Sequence, residues 1–295
     1  MASKSIYRAG TLKRTRRTAA QIEQLDQQII DVLEEDSPQS VRHVFYRMTD
    51  PRLPEPVEKS DAGYRHVQDR CVKLRRSGRI PYSWIADMSR RGYFVNTFAG
   101  AGDFIARMAG LYRADLWKSS DYRCEVWCES RSIASVLQRD CEELAVALYP
   151  CGGFSSLSFV HEAAEQQNST GDTRPLVVFY IGDYDPAGVL IDVALERELR
   201  LHLQQDIDMR FERIGINEDQ IAEHDLPTKP RKETDIRSQQ VTSTVEAEAM
   251  PARILRGLLR EAIEKLIPEG ALAATKVAEA SERAGLRLLA ARYTT

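Results

Sequence analysis

Apolar residues recur at helical spacing in the first third of the chain. In AAQIEQLDQQIIDVLEED, Ile22, Leu25, Ile29, Ile30 and Leu33 share one face. SPQSVRHVFYRM continues the pattern, and Ser37-Pro38 predicts a helix start. A third helix is predicted from Ser60 or Asp61. In SDAGYRHVQDRCVKLRRSG, Val67, Cys71 and Leu74 form an apolar stripe, while Arg65, Arg70, Lys73, Arg75 and Arg76 supply positive charge. Ser77-Gly78 ends that helix, and RIPYSWIAD, which carries Arg79, reads as a short extended wing. Three helices and a wing predict a winged helix, a helix-turn-helix variant that lays one helix in the major groove.

The texture changes after a mixed connection over 92–121, which holds the glycine-rich FAGAG and a short helix around Phe104 to Tyr112. From Cys124, short apolar runs alternate with helical stretches. CEVWC, ALYPCGG, LVVFYIGD and DMRFERIGI read as strands; SIASVLQRDCEELAVAL, SLSFVHEAAEQQ and PAGVLIDVALERELRLHL read as helices. Such alternation predicts βαβ units and a parallel sheet covered by helices, an α/β fold. Beyond Leu226, polar PTKPRKETDIRSQQ precedes two further helical stretches. The expected organisation is a basic leader (1–19), a winged-helix domain with connector (20–121), a sheet domain (122–225) and a helical extension (226–295).

Charge sharpens this division. The net charge is −3, but residues 1–120 carry 21 Lys and Arg against 14 Asp and Glu. A local basic patch, including the leader's KRTRR, attracts phosphates whatever the total charge. A solvated helix face is the alternative reading of the same arginines. The five cysteines are scattered and lack histidines at zinc-site spacing, so buried free thiols are expected. No apolar run reaches the roughly 20 residues of a membrane span, and the first residues lack a signal peptide's apolar region, which predicts a cytoplasmic protein away from membranes.

Candidate chemistry sits where parallel sheets gather ligands, at the carboxyl ends of strands. Glu129 follows the first predicted strand, and Asp183 and Asp185 follow the third. Carboxylates held together repel unless a cation neutralises them, and hard oxygen ligands suit Mg²⁺. Asp183 serves equally well as a cap for the helix beginning at Pro186, and Glu129 has the same alternative for the helix after it. A nucleophile is offered by Tyr46, with Arg42 four residues earlier on the same helix face and Arg47 adjacent. A core aromatic with an exposed hydroxyl is the alternative for Tyr46.

Taken in order, VRHVFYRM, RCVKLRRSGRIPYSWIAD, EVWCESRSIASVL, VVFYIGDYDPAGVLI, RIGINEDQIAEHDLPTK and VEAEAMPARILRGLLREAIEKLI resemble the A subunit of type IIB topoisomerases and the related meiotic double-strand-break transesterase. The likeness spans roughly residues 20 to 268 and is strongest to the short, free-standing bacterial and viral forms. It implies a winged-helix domain bearing a DNA-cleaving tyrosine, Tyr46, and a TOPRIM domain whose Glu129, Asp183 and Asp185 bind Mg²⁺, with Mn²⁺ as a substitute. It implies a homodimer on double-stranded DNA, Tyr46 of one subunit meeting the metal site of the other, each tyrosine attacking a phosphodiester and staying on the 5′ end of a staggered break. Where family members often have Lys after the TOPRIM glutamate, this chain has Ser130 and Arg131.

The leading expectation is therefore Mg²⁺-dependent transesterification, with Tyr46 as nucleophile and Arg42 stabilising the phenolate or the charged transition state. Arg65, Arg70, Lys73, Arg75, Arg76 and Arg79 are expected to hold the DNA backbone. The chain has no glycine-rich ATP motif, so ATP-driven strand passage would need a separate B-type ATPase subunit. Two alternatives stand beside it: a metal-dependent nuclease in which water attacks, and a DNA-binding module that needs a partner to cut.

Overall fold

The computed structural model describes residues 17–86, 95–153, 157–230, 241 and 243–293. The leader through residue 16, the end of the expected wing and most of the polar segment after Pro230 lie outside the described residues.

The first helices follow the apolar stripes. Helix α1 (Ala19–Glu35) starts at a capping box, in which Thr18 accepts from the Gln21 N–H and Gln21 reaches back to Thr18. Helix α2 (Val41–Met48) starts later than Ser37-Pro38 predicts. Gln39 is engaged in a bridge to Ile85, so capping falls to Ser40, whose hydroxyl accepts from the His43 N–H. Helix α3 (Asp61–Arg76) is capped by Ser60 and buries Val67, Cys71 and Leu74, the predicted stripe. The expected extended wing takes another form. After Pro81 the chain makes a 3₁₀ turn at Tyr82–Trp84, and only Ile85 pairs in strand fashion, with Gln39.

Helix α4 (Ala101–Leu111) leads to the α/β part. Strands β1 (Arg123–Cys128), β2 (Ala147–Pro150), β3 (Leu176–Ile181) and β4 (Met209–Gly215) form one parallel sheet in the order β2-β1-β3-β4. Central strand β3 is buried at every position, which explains its unbroken apolar sequence. Period-two alternation splits its side chains between two layers. Val177, Phe179 and Ile181 join Val126 and Cys128 in a core with α5 (Arg131–Glu143) and α9 (Ala252–Glu264). Leu176, Val178 and Tyr180 join Trp127 in a second core under α6 (Leu157–Asn168) and α7 (Gly188–His202).

The first of these cores is continuous with the amino-terminal helices, because Leu25, Leu33, Val44 and Leu74 belong to the same cluster as Leu255 and Leu259. Polar contacts reinforce that junction. Asp36, buried after α1, accepts from the Arg253 N–H (2.8 Å) and pairs with the Arg256 guanidinium, which also reaches the Pro38 carbonyl (3.1 Å). Removing one partner of a buried pair strands the other charge, at a cost of about 3–5 kcal/mol. Arg256→Met is thus expected to destabilise the protein by that amount in urea unfolding, with Asp36→Asn in the same chain recovering part of it. A loss below about 1 kcal/mol, the range of an exposed pair, would contradict the role given to Arg256.

The carboxyl-terminal helix α10 (Ala271–Ala291) packs on α4, with Arg283 donating to the Tyr112 carbonyl and Arg113 meeting Glu279 at 3.1 Å. All five cysteines are free thiols. Among the described residues no helix is long and apolar enough to cross a membrane.

Candidate functional site

Glu129 and Asp183 meet at the carboxyl ends of neighbouring strands β1 and β3, where the Glu129 carboxylate accepts from the Asp183 N–H at 2.9 Å. The Asp183 carboxylate accepts from the Ala247 N–H at 2.8 Å. Ala247 is brought there by an antiparallel bridge, in which Tyr184 and Val245 exchange hydrogen bonds of 2.9 Å. Asp185 caps α7, its carboxylate accepting from the Ala187 (2.8 Å) and Gly188 (2.6 Å) N–H groups. The Asp-x-Asp therefore divides: Asp183 faces the cluster, and the helix-start role considered for Asp183 falls to Asp185 instead. Gly188 permits this close approach, since a Cβ there would overlap the Asp183 carbonyl oxygen. Gly188→Ala is expected to cost about 1–3 kcal/mol as an overpacking change, read as a lowered urea midpoint.

Two further carboxylates enter from the segment after β6 (Ser243–Thr244). Glu248 is buried and accepts from the Ser130 hydroxyl at 3.2 Å. Glu246 pairs with Arg42 and meets Lys229 at 3.4 Å, and its charge acts on the Tyr46 hydroxyl. In the sequence, VEAEAM stands out only through the resemblance. Its signal was a Glu-x-Glu set among apolar residues, the same spacing that drew attention to Asp183 and Asp185. A second missed residue is Arg213 of β4, which pairs with Asp192 (2.7 Å), donates to the Gly182 carbonyl (3.0 Å) and to the Asp183 carbonyl, and so holds the loop bearing Asp183.

The electrostatics follow from this crowding. Burial raises the Asp183 carboxyl to about 8, with the charges of Glu129 and Glu248 adding to it. Burial also raises Glu129, and Asp185 contributes. Glu248 is raised by burial as well. Glu246 moves the other way: burial would raise it, but Arg42 holds it below the ordinary carboxylate range. A cluster of carboxyls whose ionisation is suppressed by burial and by one another is chemistry that a hard divalent cation relieves. Among the described residues, no three His, Cys, Asp or Glu side chains already form a metal-ligand group. Glu129, Asp183 and Asp185 are each turned toward a backbone N–H instead.

Tyr46 is buried on α2, with its ring 5.4 Å from Phe45 and 5.3 Å from the Lys59 ammonium. Burial first, and then the negative charge of Glu246, push its hydroxyl above the ordinary tyrosine value, whereas Arg42 acts in the opposite sense. Arg42 lies over the Tyr64 ring at 5.3 Å and pairs with Glu246. Tyr46 and the acidic cluster are thus linked within one chain through residues 245–248.

The basic residues expected to hold DNA separate into two groups. Arg65, Lys73 and Arg76 are exposed; Lys73 pairs with Asp69 at 2.7 Å, and the other two have no ion pair among the described residues. Arg70 instead grips buried Asp26, its Nε at 2.6 Å, and ties α3 to α1. Arg79 meets Glu23 at 2.6 Å. Arg75 donates to the Tyr82 and Ile85 carbonyls at 3.2 and 3.3 Å and lies 5.1 Å over the Tyr82 ring. Arg70 and Arg75 therefore have structural work that a solvated charge run does not reveal, Arg70 supplying donors to a buried aspartate and Arg75 to backbone carbonyls.

No family model matches the chain, and no curated protein is detectably similar to it.

Proposed function

We propose that this protein is a metal-dependent DNA-cleaving transesterase of the type IIB topoisomerase A kind, with a winged-helix part formed by α1–α3 and a TOPRIM part formed by the parallel sheet. The observation that carries this reading is the convergence of Glu129, Asp183 and Glu248 at the sheet's carboxyl edge, with the helix that bears Tyr46 tied to the same segment by the Arg42–Glu246 pair. Glu129, Asp183 and Asp185 would hold Mg²⁺ or Mn²⁺, with Glu248 beside them; when bound, the ion supplies charge neutralisation at the scissile phosphate.

The chain's own groups divide the remaining work. The Tyr46 phenolic oxygen attacks phosphorus, its proton passes to ionised Glu246, and the P–O3′ bond breaks as the 3′ oxygen leaves with a proton from solvent. The product keeps the 5′ phosphate on Tyr46. Arg42 orients Glu246 and meets charge developing on the phosphate. Exposed Arg65, Lys73 and Arg76 contact the DNA backbone. A staggered double-strand break follows from two such chains in a homodimer, and strand passage would call on a separate B-type ATPase.

A second reading, hydrolysis by water, is favoured by one observation: Tyr46 is buried. The deciding experiment incubates the protein with end-labelled duplex DNA and Mg²⁺ or Mn²⁺, then stops with denaturant. Label migrating with protein supports transesterification, and free cut ends support hydrolysis. Intact DNA under both metals counts against each and leaves a binding module that needs a partner.

A further inference from the structure

A cavity of about 350 Å³ opens between the first turns of α2 and α5 and the body of α3. Its wall carries three guanidinium groups, those of Arg42, Arg75 and Arg131, and no carboxylate among the described residues that line it. Arg42 uses Nη1 on Glu246 and Arg75 uses Nη2 on two carbonyls, so each keeps further N–H donors. Arg131 is exposed and has no ion pair among the described residues. Ser40 and Ser132 add hydroxyls 2.8 Å apart, and both helices direct their positive ends toward this wall. Arg75 and Arg131 have no ion pair among the described residues, and Arg42 keeps donors beyond its pair with Glu246, so the wall calls for an anion, and guanidinium geometry suits a tetrahedral oxyanion such as phosphate. The volume lies at the small end of ligand sites, and Val41, Tyr64 and Ile85 supply apolar wall for a sugar or base.

We propose that this cavity binds the phosphate group of a nucleotide, either free or at the 5′ end of a strand. The proposal needs neither a metal nor cleavage, so it stands or falls separately from the function proposed above. The test is isothermal titration calorimetry on the full chain in EDTA, using AMP, adenosine, and a trinucleotide with and without a 5′ phosphate.

AMP is expected to bind at least tenfold more tightly than adenosine, and the phosphorylated trinucleotide at least tenfold more tightly than its unphosphorylated form. Arg131→Gln should weaken AMP binding at least fivefold, Arg75→Gln with Arg131→Gln should remove it, and Arg197→Gln on α7 should leave it unchanged. Arg131 is exposed, so its variant keeps the test valid if loss of Arg75 disturbs folding. A phosphorylated strand binding tighter than AMP identifies a strand end as the ligand; equal affinity identifies a free nucleotide. Equal binding of AMP and adenosine, no binding of either phosphate, or full affinity in Arg131→Gln overturns the proposal.

Discussion

Tyr46→Phe is expected to leave no DNA label attached to the protein, a loss of roughly 10³-fold or more, the scale on which removal of a nucleophile acts. The substitution keeps the ring between Phe45 and Lys59 and deletes only the hydroxyl, so thermal stability should change little. An ordinary tyrosine is about 0.1% ionised at pH 7, and full ionisation costs roughly 4 kcal/mol. Here burial and Glu246 raise that cost, so the proton must leave as the new bond forms, and Glu246 is placed to take it. Glu246→Gln should accordingly slow adduct formation without abolishing it. Adduct persisting in Tyr46→Phe would remove Tyr46 from the mechanism, and free cut ends in that variant would assign the attack to water.

Asp183→Asn should move two properties in opposite directions. Cleavage should fall by about 10²–10³-fold or more, because a charge aimed at the reacting centre is lost. In EDTA at pH 8, the variant should melt several degrees above the unaltered protein. The sign follows from the raised carboxyl. An unfolded Asp183 ionises near pH 4, the folded one near 8, so between those values the folded state holds the extra proton. Stability from this group is therefore complete below about pH 4 and is lost as pH rises toward 8. Asparagine keeps an oxygen for the Ala247 N–H and carries no charge, so the variant escapes the loss. The melting difference should shrink as pH falls to 5. A difference that is constant with pH would show that Asp183 is not strained by its neighbours.

Much of the architecture was legible before any coordinates. LVVFYIGD was readable because a strand covered on both faces is largely apolar, and β3 is buried at every position; CEVWC keeps one buried charge, Glu125, which accepts from Trp127 and Gln167. The stripe of Val67, Cys71 and Leu74 was readable because helical spacing alone groups them. Glu129 and Asp183 were legible as a pair because each follows a strand of a parallel sheet, which delivers both to one edge.

Other features depend on which distant segments meet. Glu246 and Glu248 reach the site through a bridge between Val245 and Tyr184, about 60 residues apart in sequence, a pairing that no local pattern encodes. The α2 start shifted because Gln39 pairs with Ile85, and Asp183 leaves the helix-cap role to Asp185 because its carboxylate accepts from the Ala247 N–H. Arg70 looked identical to Arg65 along the helix until Asp26 proved to be buried against it. Periodicity along the chain sets the elements and the strand ends that carry charge. Which charges are neutralised and which remain exposed is set by the folded arrangement, because pairing and desolvation depend on distance in space rather than separation along the chain.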